Sequence, residues 1–547
     1  MTIRKKLTKG IQVVIMNPLL LFTLTVWSGS ILYSCFRVIM FSRTTSLHRD
    51  LLTRRHPDSL MTKIGFQWQD ISDFEWITFK GVFLKHWTWI LIYMVMSFVS
   101  GSVHVKTRYQ VIFLSVYTML FLVFVLNTVS LVVLLSLTAF VILTTLAIKS
   151  MDHFIVKLIP YIVFLLTLLT LHSDVGQLFK TIIFNHDDHK ALLFDVCITW
   201  FSAKSLSFTV DCLRNKKLMN SMEETLAAVL YLFYFPSFLT GPVHLFKDFL
   251  SDLKDKRSPS STPNPVKCTL KMLRIVLYCL LFEFLLHFIH THALHFSLDS
   301  FGKLDGWTFC GLGYSLTCLF YIKYYVLYGF SNSLASLNGV SLPLPPQCVS
   351  RTCQSTSLWR TFDRGLYSWL IEYFYRPILL FGEVKRNLKQ ESLWTKEKTS
   401  SPVFVFFLKV KQVFASFLCF SCVCLWHRAD RHIILWCCFN LASVLVEKVV
   451  NEMLDKKLLW KSIVSAPLFT LMVISNIFFL SNFDFGFAFL DRIFLKPYLE
   501  LFVPLMVVMF SGCHVSFFLE QLDQERKTND RRRVMFSDEE EEEQHLL

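Results

Sequence analysis

Long apolar runs are the feature that most constrains how this chain can fold. Of its 547 residues, 53% are hydrophobic and only 18% are charged, which is fewer charged residues than the roughly one quarter usual in soluble domains. A run of about 20 apolar residues can cross a bilayer as a helix, which satisfies every backbone polar group within the segment. The candidate spans are 11–41, 86–105, 109–127, 128–148, 153–172, 224–240, 268–298, 307–330, 402–426, 432–447, 462–482 and 498–518.

These runs predict an all-α, polytopic membrane protein with about 11–13 membrane segments, counting short re-entrant helices. The stretch 192–213 is a candidate for re-entry because Asp195, Lys204 and Asp211 interrupt its apolar character. The first run is about twice as long as the apolar core of a signal peptide, and no clear cleavage site follows it. We therefore expect it to be a retained helix that targets the chain to the endoplasmic reticulum.

The chain is predicted to have three parts. Residues 1–80 form an N-terminal membrane helix and an interfacial segment, residues 81–519 form the membrane core, and residues 520–547 form a charged tail. The tail ends in a run of acidic residues and is expected to be disordered. Within the core, residues 251–267 have the proline- and serine-rich composition of a linker.

The formal net charge is +14, and the basic residues gather in short segments between the apolar runs. Lysine and arginine beside membrane helices mark the cytosolic side, and this topological role is the simplest interpretation of the clusters. The alternative is that one cluster binds coenzyme A phosphates or an anionic lipid. No nucleic-acid-binding motif accompanies the charge, so a nucleic-acid partner is not expected.

Two groups of residues have spacings that suggest metal sites. Cys419, Cys422 and Cys424 are close in sequence, but zinc requires thiolates, which are costly inside a membrane helix. The second group is Glu283, His287, His290, His292 and His295. Its spacings of three and four could place ligands on one helical face, but a structural polar cluster at a helix end is the favoured interpretation. The 15 cysteines do not suggest a disulfide framework.

His427 is the first candidate for a catalytic residue. It ends the apolar run that begins at Leu418, and ionisable residues in such segments are candidates for functional sites because the bilayer makes them costly. An imidazole in this place could be a general base, since its pKa lies near working pH. It could equally be a histidine that lies beside the lipid headgroups.

Asp363 is the second candidate. Spacings of three and four place it on one helical face with Trp359 and Leu366, and within reach of Arg360 or Arg364. Its carboxylate could orient a histidine or a nucleophile, or it could form a structural ion pair. The sequence leaves both interpretations open.

With these residues in place, the chain resembles the membrane-bound O-acyltransferase superfamily, and more closely its Hedgehog acyltransferase branch. The resemblance covers roughly residues 70–520, and the ordered set of motifs is more specific than any single one. The motifs are Ser72–Trp76, Phe233–Pro242, Phe320–Gly329, Leu344–Ser350, Trp359–Tyr375, Leu425–His427 and Leu435–Asn440.

The resemblance implies roles for individual residues. It assigns the central catalytic histidine to His427 and the second catalytic residue, an aspartate in this branch, to Asp363. It implies substrate binding by Trp359, Arg360 and Asn440.

The resemblance also implies a cofactor, haem b, whose iron is held by the thiolate of Cys348, since haem can take a cysteine axial ligand. The chain departs from the family at two places. The family usually has glycine after the catalytic histidine, where this chain has Arg428, and extra sequence at about 384–401 follows the aspartate motif. Both departures affect the expected shape of the lumenal mouth of the site.

The activity implied is transfer of palmitoyl from palmitoyl-CoA to the N-terminal cysteine amine of a secreted Hedgehog-type signalling protein. The location would be the endoplasmic reticulum membrane, with the Golgi as the alternative, and the partners acyl-CoA, the secreted substrate and membrane lipid. Lys247, Arg360 and Arg364 are candidates for the phosphate end of the donor.

Two other functions stay open. The chain could be an O-acyltransferase of a lipid or peptide hydroxyl, or a non-catalytic scaffold with the same fold. The presence of His427 favours an enzyme, because a related class of the family lacks this histidine. A transporter is disfavoured, since no pair of broken helices marks an inverted repeat.

Overall fold

The computed structural model describes residues 17–44, 52–54, 60–64, 68–102, 107–255, 265–296, 304–381, 402–453, 458–492 and 499–546. Apart from two short strands, the regular structure in these ranges is helical. The helices before residue 260 are α1 (Pro18–Thr44), α2 (Leu60–Lys63), α3 (Phe74–Lys85), α4 (Trp87–Ser102), α5 (Thr107–Val125), α6 (Thr128–Ile148), α7 (Phe154–His172), α8 (Asp174–Phe184), α9 (Asp188–Arg214), α10 (Met222–Leu232), α11 (Phe235–Phe238) and α12 (Phe246–Asp255).

The second half continues in the same way. Its helices are α13 (Pro265–Leu285), α14 (Thr291–Phe296), α15 (Gly306–Leu337), α16 (Ser355–Thr361), α17 (Arg364–Leu370), α18 (Arg376–Leu380), α19 (Pro402–Trp426), α20 (Arg431–Met453), α21 (Leu458–Leu480), α22 (Phe483–Leu490) and α23 (Leu499–Leu546). A 3₁₀ turn occupies Val349–Arg351, and a π-helix, Ile371–Tyr375, joins α17 to α18. The strands β1 (Leu52–Arg54) and β2 (Trp68–Asp70) pair antiparallel, with Thr53 opposite Gln69.

Eight helices in the described ranges are long and apolar enough to cross a bilayer: α1, α6, α7, α9, α19, α20, α21 and the first half of α23. The helices α3 and α4, which meet at 66°, supply a ninth if they are counted as one bent span. The all-α polytopic fold predicted from the apolar runs is therefore confirmed, by helix length and composition.

The other predicted segments correspond to helices that are shorter, broken or less apolar. The run 109–127 is the short helix α5, and 224–240 is divided between α10 and α11, where Pro236 starts a new turn. The run 268–298 is divided between α13 and α14, while 307–330 lies within the 32-residue α15. Hydropathy alone did not show these breaks.

The expectation of re-entry at 192–213 is wrong, because α9 is one continuous helix of 27 residues that lies mostly inside the protein. Its polar residues find partners on neighbouring segments instead of water, which removes the main cost of burying them. The partners are Lys180 for Asp195 (2.7 Å), Ser237 for Lys204 (3.1 Å) and Tyr373 for Asp211 (2.9 Å).

Helix α1 packs closely along α15, and both contribute to the part of the core that surrounds the candidate site. At their crossing, a Cβ on Gly311 would lie 2.3 Å from the carbonyl oxygen of Ser34. Only glycine permits this approach of the two backbones. Helix α21 packs against α20, α23 and α15, and α23 also packs along α1.

Two of the predicted part boundaries fall inside helices. Helix α3 crosses residue 80, and α23 crosses residue 519 and continues to Leu546, through the segment predicted to be disordered. Glutamate, arginine and glutamine are good helix formers, so a helix can extend through a charged segment of this composition. The division into three parts otherwise stays a prediction. The extra sequence at 384–401 lies outside the described residues.

Candidate active site

His427 lies in the tight turn between α19 and α20. Its backbone N–H donates to the carbonyl of Val423, and Ala429 N–H donates to Cys424 O at 2.9 Å, which closes the turn. Arg428 and Ala429 have φ of 72° and 54°. This left-handed region favours glycine, which gives a reason for the glycine that the resemblance predicts at position 428.

The ring of His427 lies among aromatic side chains. Its centroid is 5.8 Å from that of Trp436 and 5.1 Å from that of Phe479, both at nearly perpendicular angles. Trp436 and Phe479 stack on each other at 4.3 Å. Within the described part of the chain, neither ring nitrogen has a hydrogen-bond partner, so a lone pair is available to accept a proton.

Two of the residues implied to bind substrate lie beside this aromatic group. Trp359 Nε1 donates to Asn440 Oδ1 at 3.0 Å, and the Trp359 ring is 5.5 Å from that of Trp436. Asn440 in turn donates to the carbonyl of Trp436 at 2.8 Å and to Ser475 Oγ at 3.2 Å. The structure therefore brings Trp359 and Asn440 together near His427, whereas Arg360 is exposed.

Asp363 is the N-cap of α17, and both of its carboxylate oxygens are hydrogen-bonded. Oδ1 accepts from the N–H of Leu366 at 2.9 Å, and Oδ2 accepts from the hydroxyl of Tyr328 at 2.7 Å. Burial raises the pKa of Asp363 above its ordinary value, and the two hydrogen bonds lower it only in part. The predicted pairing with Arg360 or Arg364 is not found among the described contacts.

Asp363 does not bond to His427, but the two lie at the same height in the molecule. Helix α19 runs antiparallel to the stretch from α17 to α18, as two contacts show: Lys411 Nζ donates to Phe381 O (2.8 Å), and Cys419 Sγ lies 3.9 Å from Leu370 O. From that second contact, His427 is about 12 Å along one helix and Asp363 about 10 Å along the other, in the same direction.

A chain of contacting rings links the two candidates. Phe362, beside Asp363, stacks on Phe320 at 5.4 Å, and Phe320 contacts Phe479 edge-on at 5.6 Å. Phe479 contacts His427, so the chain of rings is continuous. A substrate that reacted between His427 and Asp363 would meet an aromatic wall that excludes water.

The sequence did not reveal all of this site. Trp436 belongs to the motif Leu435–Asn440, so a signal for it was present. Phe479 and Asn476 belong to no motif, and Asn476 accepts from Trp436 Nε1 at 3.2 Å. Only their place one turn apart on α21 brings them to the site.

A buried ionic network supports the Asp363 side of the site. Lys323 of α15 contacts Asp73 at 3.0 Å and Glu75 at 2.8 Å. Glu75 accepts from the hydroxyl of Tyr324, whose ring lies 5.3 Å from that of Tyr328. Burial raises the pKa of Asp73, whereas the neighbouring Lys323 and His292 lower it. Together with the hydrogen bonds to the carboxylate, these charges outweigh burial, so the pKa lies below its ordinary value.

Among the residues suggested as metal ligands, Glu283 and His292 contact other polar side chains. Glu283 accepts from Gln69, Trp76 and Lys80 at 2.7–2.9 Å. His292 lies 3.5 Å from Asp73. Across the described ranges, no group of three or more histidine, cysteine, aspartate or glutamate side chains could hold a metal ion. The structure thus favours the structural polar cluster.

Cys348 is half-buried just before the 3₁₀ turn and packs against a cluster on α13 and α15. In that cluster, the rings of Tyr278 and Tyr325 lie 4.3 Å apart. A thiol has the chemistry of a haem ligand, and the half-buried Cys348 is the residue that would hold the haem that the resemblance implies.

Two apolar cavities are candidates for holding an acyl chain. One of about 110 Å³ is lined by parts of α1, α15, α21 and α23, and it includes Asn476. The other, of about 490 Å³, lies between α6, α7, α8 and α9 and includes Thr167 and Leu206. Either has the apolar lining that a fatty acyl chain requires.

The sequence is similar to that of a known protein family. Residues 184–395 match the profile of MBOAT, the membrane-bound O-acyltransferase family. The matched segment includes Asp363, Trp359 and Cys348, while His427 lies beyond it.

Individual relatives are similar over about half the chain. Over 299 residues the chain is 26% identical to the mouse "Protein-cysteine N-palmitoyltransferase HHAT", covering 52% of this chain and 55% of that protein. It is 22% identical over 260 residues to the Drosophila melanogaster "Protein-cysteine N-palmitoyltransferase Rasp", covering 47% and 46%. It is also 23% identical over 210 residues to the Candida tropicalis "Membrane-bound O-acyltransferase GUP1", covering 38% and 31%. The matches thus span about half the length of the first two relatives, and less of the third.

Proposed function

We propose that the chain is a membrane acyltransferase of the membrane-bound O-acyltransferase family, similar to the protein-cysteine N-palmitoyltransferases, because residues 184–395 match the family profile and two such enzymes are among its relatives. Its donor would be palmitoyl-CoA, and its acceptor the N-terminal cysteine amine of a secreted Hedgehog-type protein. The observation that carries the proposal is the unbonded imidazole of His427, at the height of Asp363 and beside the Trp359–Asn440 pair. The names of the two palmitoyltransferase relatives support the acceptor.

Transfer of the acyl group from the thioester to the amine mainly requires a general base. An N-terminal amine has a pKa of about 8, so a modest base is enough to expose its lone pair. The amine nitrogen attacks the thioester carbonyl, its proton passes to His427, and the C–S bond breaks to release the coenzyme A thiolate. Such a base contributes roughly 10²–10⁴-fold to the rate.

Asp363 would act on the substrate and not on the imidazole, because its two oxygens are held by Tyr328 and the N–H of Leu366. A carboxylate fixed in this way can stabilise positive charge on the incoming amine. The aromatic wall from Phe362 to Phe479 would keep water away from the thioester.

The two ends of α9 indicate which side of the membrane each substrate enters from. Asp195, near one end, pairs with Arg428 beside the candidate base, and Arg214 lies 19 residues further on. That separation is about 28 Å, close to the thickness of the hydrocarbon. The Arg214 end also carries Lys216 and Lys217 in its loop, so we assign it to the cytosol. His427 then lies towards the lumen, as expected for an enzyme of the endoplasmic reticulum or Golgi.

The acyl chain would lie in one of the two apolar cavities, with about 0.8 kcal/mol gained per buried methylene. A haem on Cys348 stays a prediction of the resemblance and enters no step.

An O-acyltransferase is the second candidate, favoured by the similarity to the Candida tropicalis "Membrane-bound O-acyltransferase GUP1". A non-catalytic scaffold is the third. The purified protein should be given labelled palmitoyl-CoA and a Hedgehog N-terminal peptide, the same peptide with a blocked amine, or a glycerolipid. Amide formation only with the free amine supports the main proposal. Ester formation on the lipid or on a peptide hydroxyl supports the second, and no transfer in a folded sample that binds donor supports the scaffold.

A further inference from the structure

Three cations surround one buried carboxylate where α9 ends. Glu372, in the π-helix, contacts Arg214 at 2.7 Å, Lys247 at 3.0 Å and Arg376 at 2.6 Å. The Glu372 side chain is 12% exposed, whereas those of the three cations are 40%, 44% and 41% exposed. The carboxylate therefore lies beneath a surface that is cationic. We call these four residues the Glu372 cluster.

Hydrogen bonds to α9 hold the residues of the Glu372 cluster in place. Tyr373 donates to Asp211 at 2.9 Å, and the backbone N–H of Lys247 donates to the same carboxylate at 3.1 Å. Arg214 also donates to the carbonyl of Glu372 at 3.0 Å and lies over the Tyr373 ring. The start of α12 and the π-helix are thus tied to α9, which holds the cations in place. Short π-helical segments often occur at functional sites.

Two further carboxylates, those of Asp211 and Asp248, lie beside the cluster. Asp211 is buried and faces inward to Tyr373, while Asp248 is exposed beside Lys247. The half-exposed surface therefore presents three cations, against the exposed carboxylate of Asp248 and the buried carboxylate of Glu372 that pairs with all three. A surface of this kind attracts an anion with several charges and donates hydrogen bonds to its oxygens.

The position of the cluster suits the donor of the proposed reaction. Glu372 follows Asp363 by nine residues on one helical stretch, about 13 Å towards the cytosolic end. Lys247 was one of three candidates for the phosphate end; the other two, Arg360 and Arg364, have no contact with the cluster among the described residues.

We propose that Arg214, Lys247 and Arg376 form a phosphate-binding site on the cytosolic face. Its ligand class is an organic phosphate, and the identification of that phosphate as part of coenzyme A rests on the proposed function. Phospholipid headgroups have the same chemistry and are the second source.

Binding of coenzyme A itself should be measured by calorimetry on the purified full chain in neutral-lipid nanodiscs. Lys247→Ala and Arg376→Gln should each weaken binding about three- to tenfold, since each removes one half-exposed ionic contact. Asp248→Asn should strengthen it, because it removes the one exposed carboxylate nearby. Lys216→Ala is the matched control, since Lys216 is 45% exposed in the loop after α9 but pairs with Asp152.

Two further probes separate the sources of phosphate. With 3′-dephospho-CoA, a donor-phosphate site predicts weaker binding to wild type and a smaller effect of the substitutions. In nanodiscs that contain phosphatidic acid, a headgroup site predicts that wild type binds more of this lipid than Lys247→Ala does, with coenzyme A affinity unchanged by the substitution.

Either pattern supports a phosphate site. Equal affinities of wild type, Lys247→Ala and Arg376→Gln for both ligands overturn it, as does a loss that Lys216→Ala reproduces. If folded wild type binds no coenzyme A but binds more phosphatidic acid than Lys247→Ala does, the proposed function fails while the phosphate site is supported.

Discussion

At the scale of single residues, the two candidate catalytic groups differ in their hydrogen bonding, which suits them to different roles. The imidazole of His427 lies against the rings of Trp436 and Phe479, and its nitrogens have no hydrogen-bond partner within the described structure. Asp363 is held at both oxygens. A base must be free to accept a proton, whereas a group that stabilises charge must be fixed, and the two residues differ in this way.

Tyr328→Phe tests the fixed carboxylate. The Tyr328 hydroxyl lowers the pKa of Asp363, which burial raises. Its removal should raise that pKa further, so activity that needs the carboxylate should be lost at a higher pH as the solution is acidified. A hydrogen bond to a charged group contributes about 1.5–3 kcal/mol, so kcat/KM should fall roughly tenfold or more. The measurement is the pH profile of kcat/KM.

Tyr324→Phe is the control, because its hydroxyl donates to Glu75 and not to Asp363. In the pH profile of kcat/KM, the acid limb of Tyr324→Phe should lie at the same pH as that of wild type. An equal displacement of the limb in both variants would mean that Tyr328 acts through packing alone.

Residue identities were more predictable than residue partners. Motifs pointed to His427, Asp363, Trp359 and Asn440, and the structure places them around one region. The bond from Tyr328 to Asp363 was not predictable, since these residues are 35 positions apart and on separate helices. Pairing with the adjacent Arg360 or Arg364 was the natural expectation from local spacing alone.

At the scale of elements, α9 shows how an apolar environment accommodates charges. Lys180 and Asp195 pair at 2.7 Å with side-chain exposures of 3% and 15%, so each compensates the other. Lys204 is 1% exposed and donates to Ser237, with no carboxylate within ion-pair distance in the described ranges. Removal of the positive charge should therefore change the stability of the protein differently at Lys180 and at Lys204.

Lys180→Met should lower the thermal stability of the protein in detergent, because it leaves Asp195 with only the exposed Arg428. The cost of an unsatisfied buried group is about 1–3 kcal/mol. Lys204→Met should leave stability unchanged or raise it, since it replaces a buried cation that has no carboxylate partner in the described ranges with an apolar side chain of similar volume. Fluorescence-detected unfolding of both variants checks this. A greater loss from Lys204→Met would contradict it and indicate a counter-ion for Lys204.

The apolar cavities give a second test at this scale. Thr167→Phe reduces the cavity between α6, α7, α8 and α9, and Val473→Phe reduces the one beside Asn476. The substitution in the cavity that holds the acyl chain should shift preference from palmitoyl-CoA to lauroyl-CoA, because less length fits. Relative kcat/KM for the two donors is the measurement. An unchanged preference in both variants would place the chain elsewhere.

The elements themselves were largely predictable, because runs of apolar residues determine helices in a bilayer. The breaks between α10 and α11, and between α13 and α14, were not, since hydropathy stays high across them. The continuity of α9 was also missed. Its polar residues suggested re-entry, and their partners Ser237 and Tyr373 are distant in the sequence.

At the scale of the whole molecule, the proposal assigns the protein a cytosolic and a lumenal face. Arg214 and the Glu372 cluster mark one face, and His427 with Arg428 lies towards the other. An N-glycosylation acceptor inserted after Asp430 should be modified in cells, because that turn is assigned to the lumen. The same insert after Lys217 should remain unmodified. A gel-shift assay with glycosidase digestion reads both, and the reverse pattern would invert the assigned topology.

His427→Ala tests the central claim, acyl transfer with His427 as the base. Wild type and variant should be assayed with labelled palmitoyl-CoA and a Hedgehog N-terminal peptide, beside His432→Ala, which changes a histidine five residues away. The account predicts that kcat falls roughly 10²–10⁴-fold for His427→Ala alone, with unfolding temperature and coenzyme A binding retained. Equal transfer by wild type and His427→Ala would contradict it.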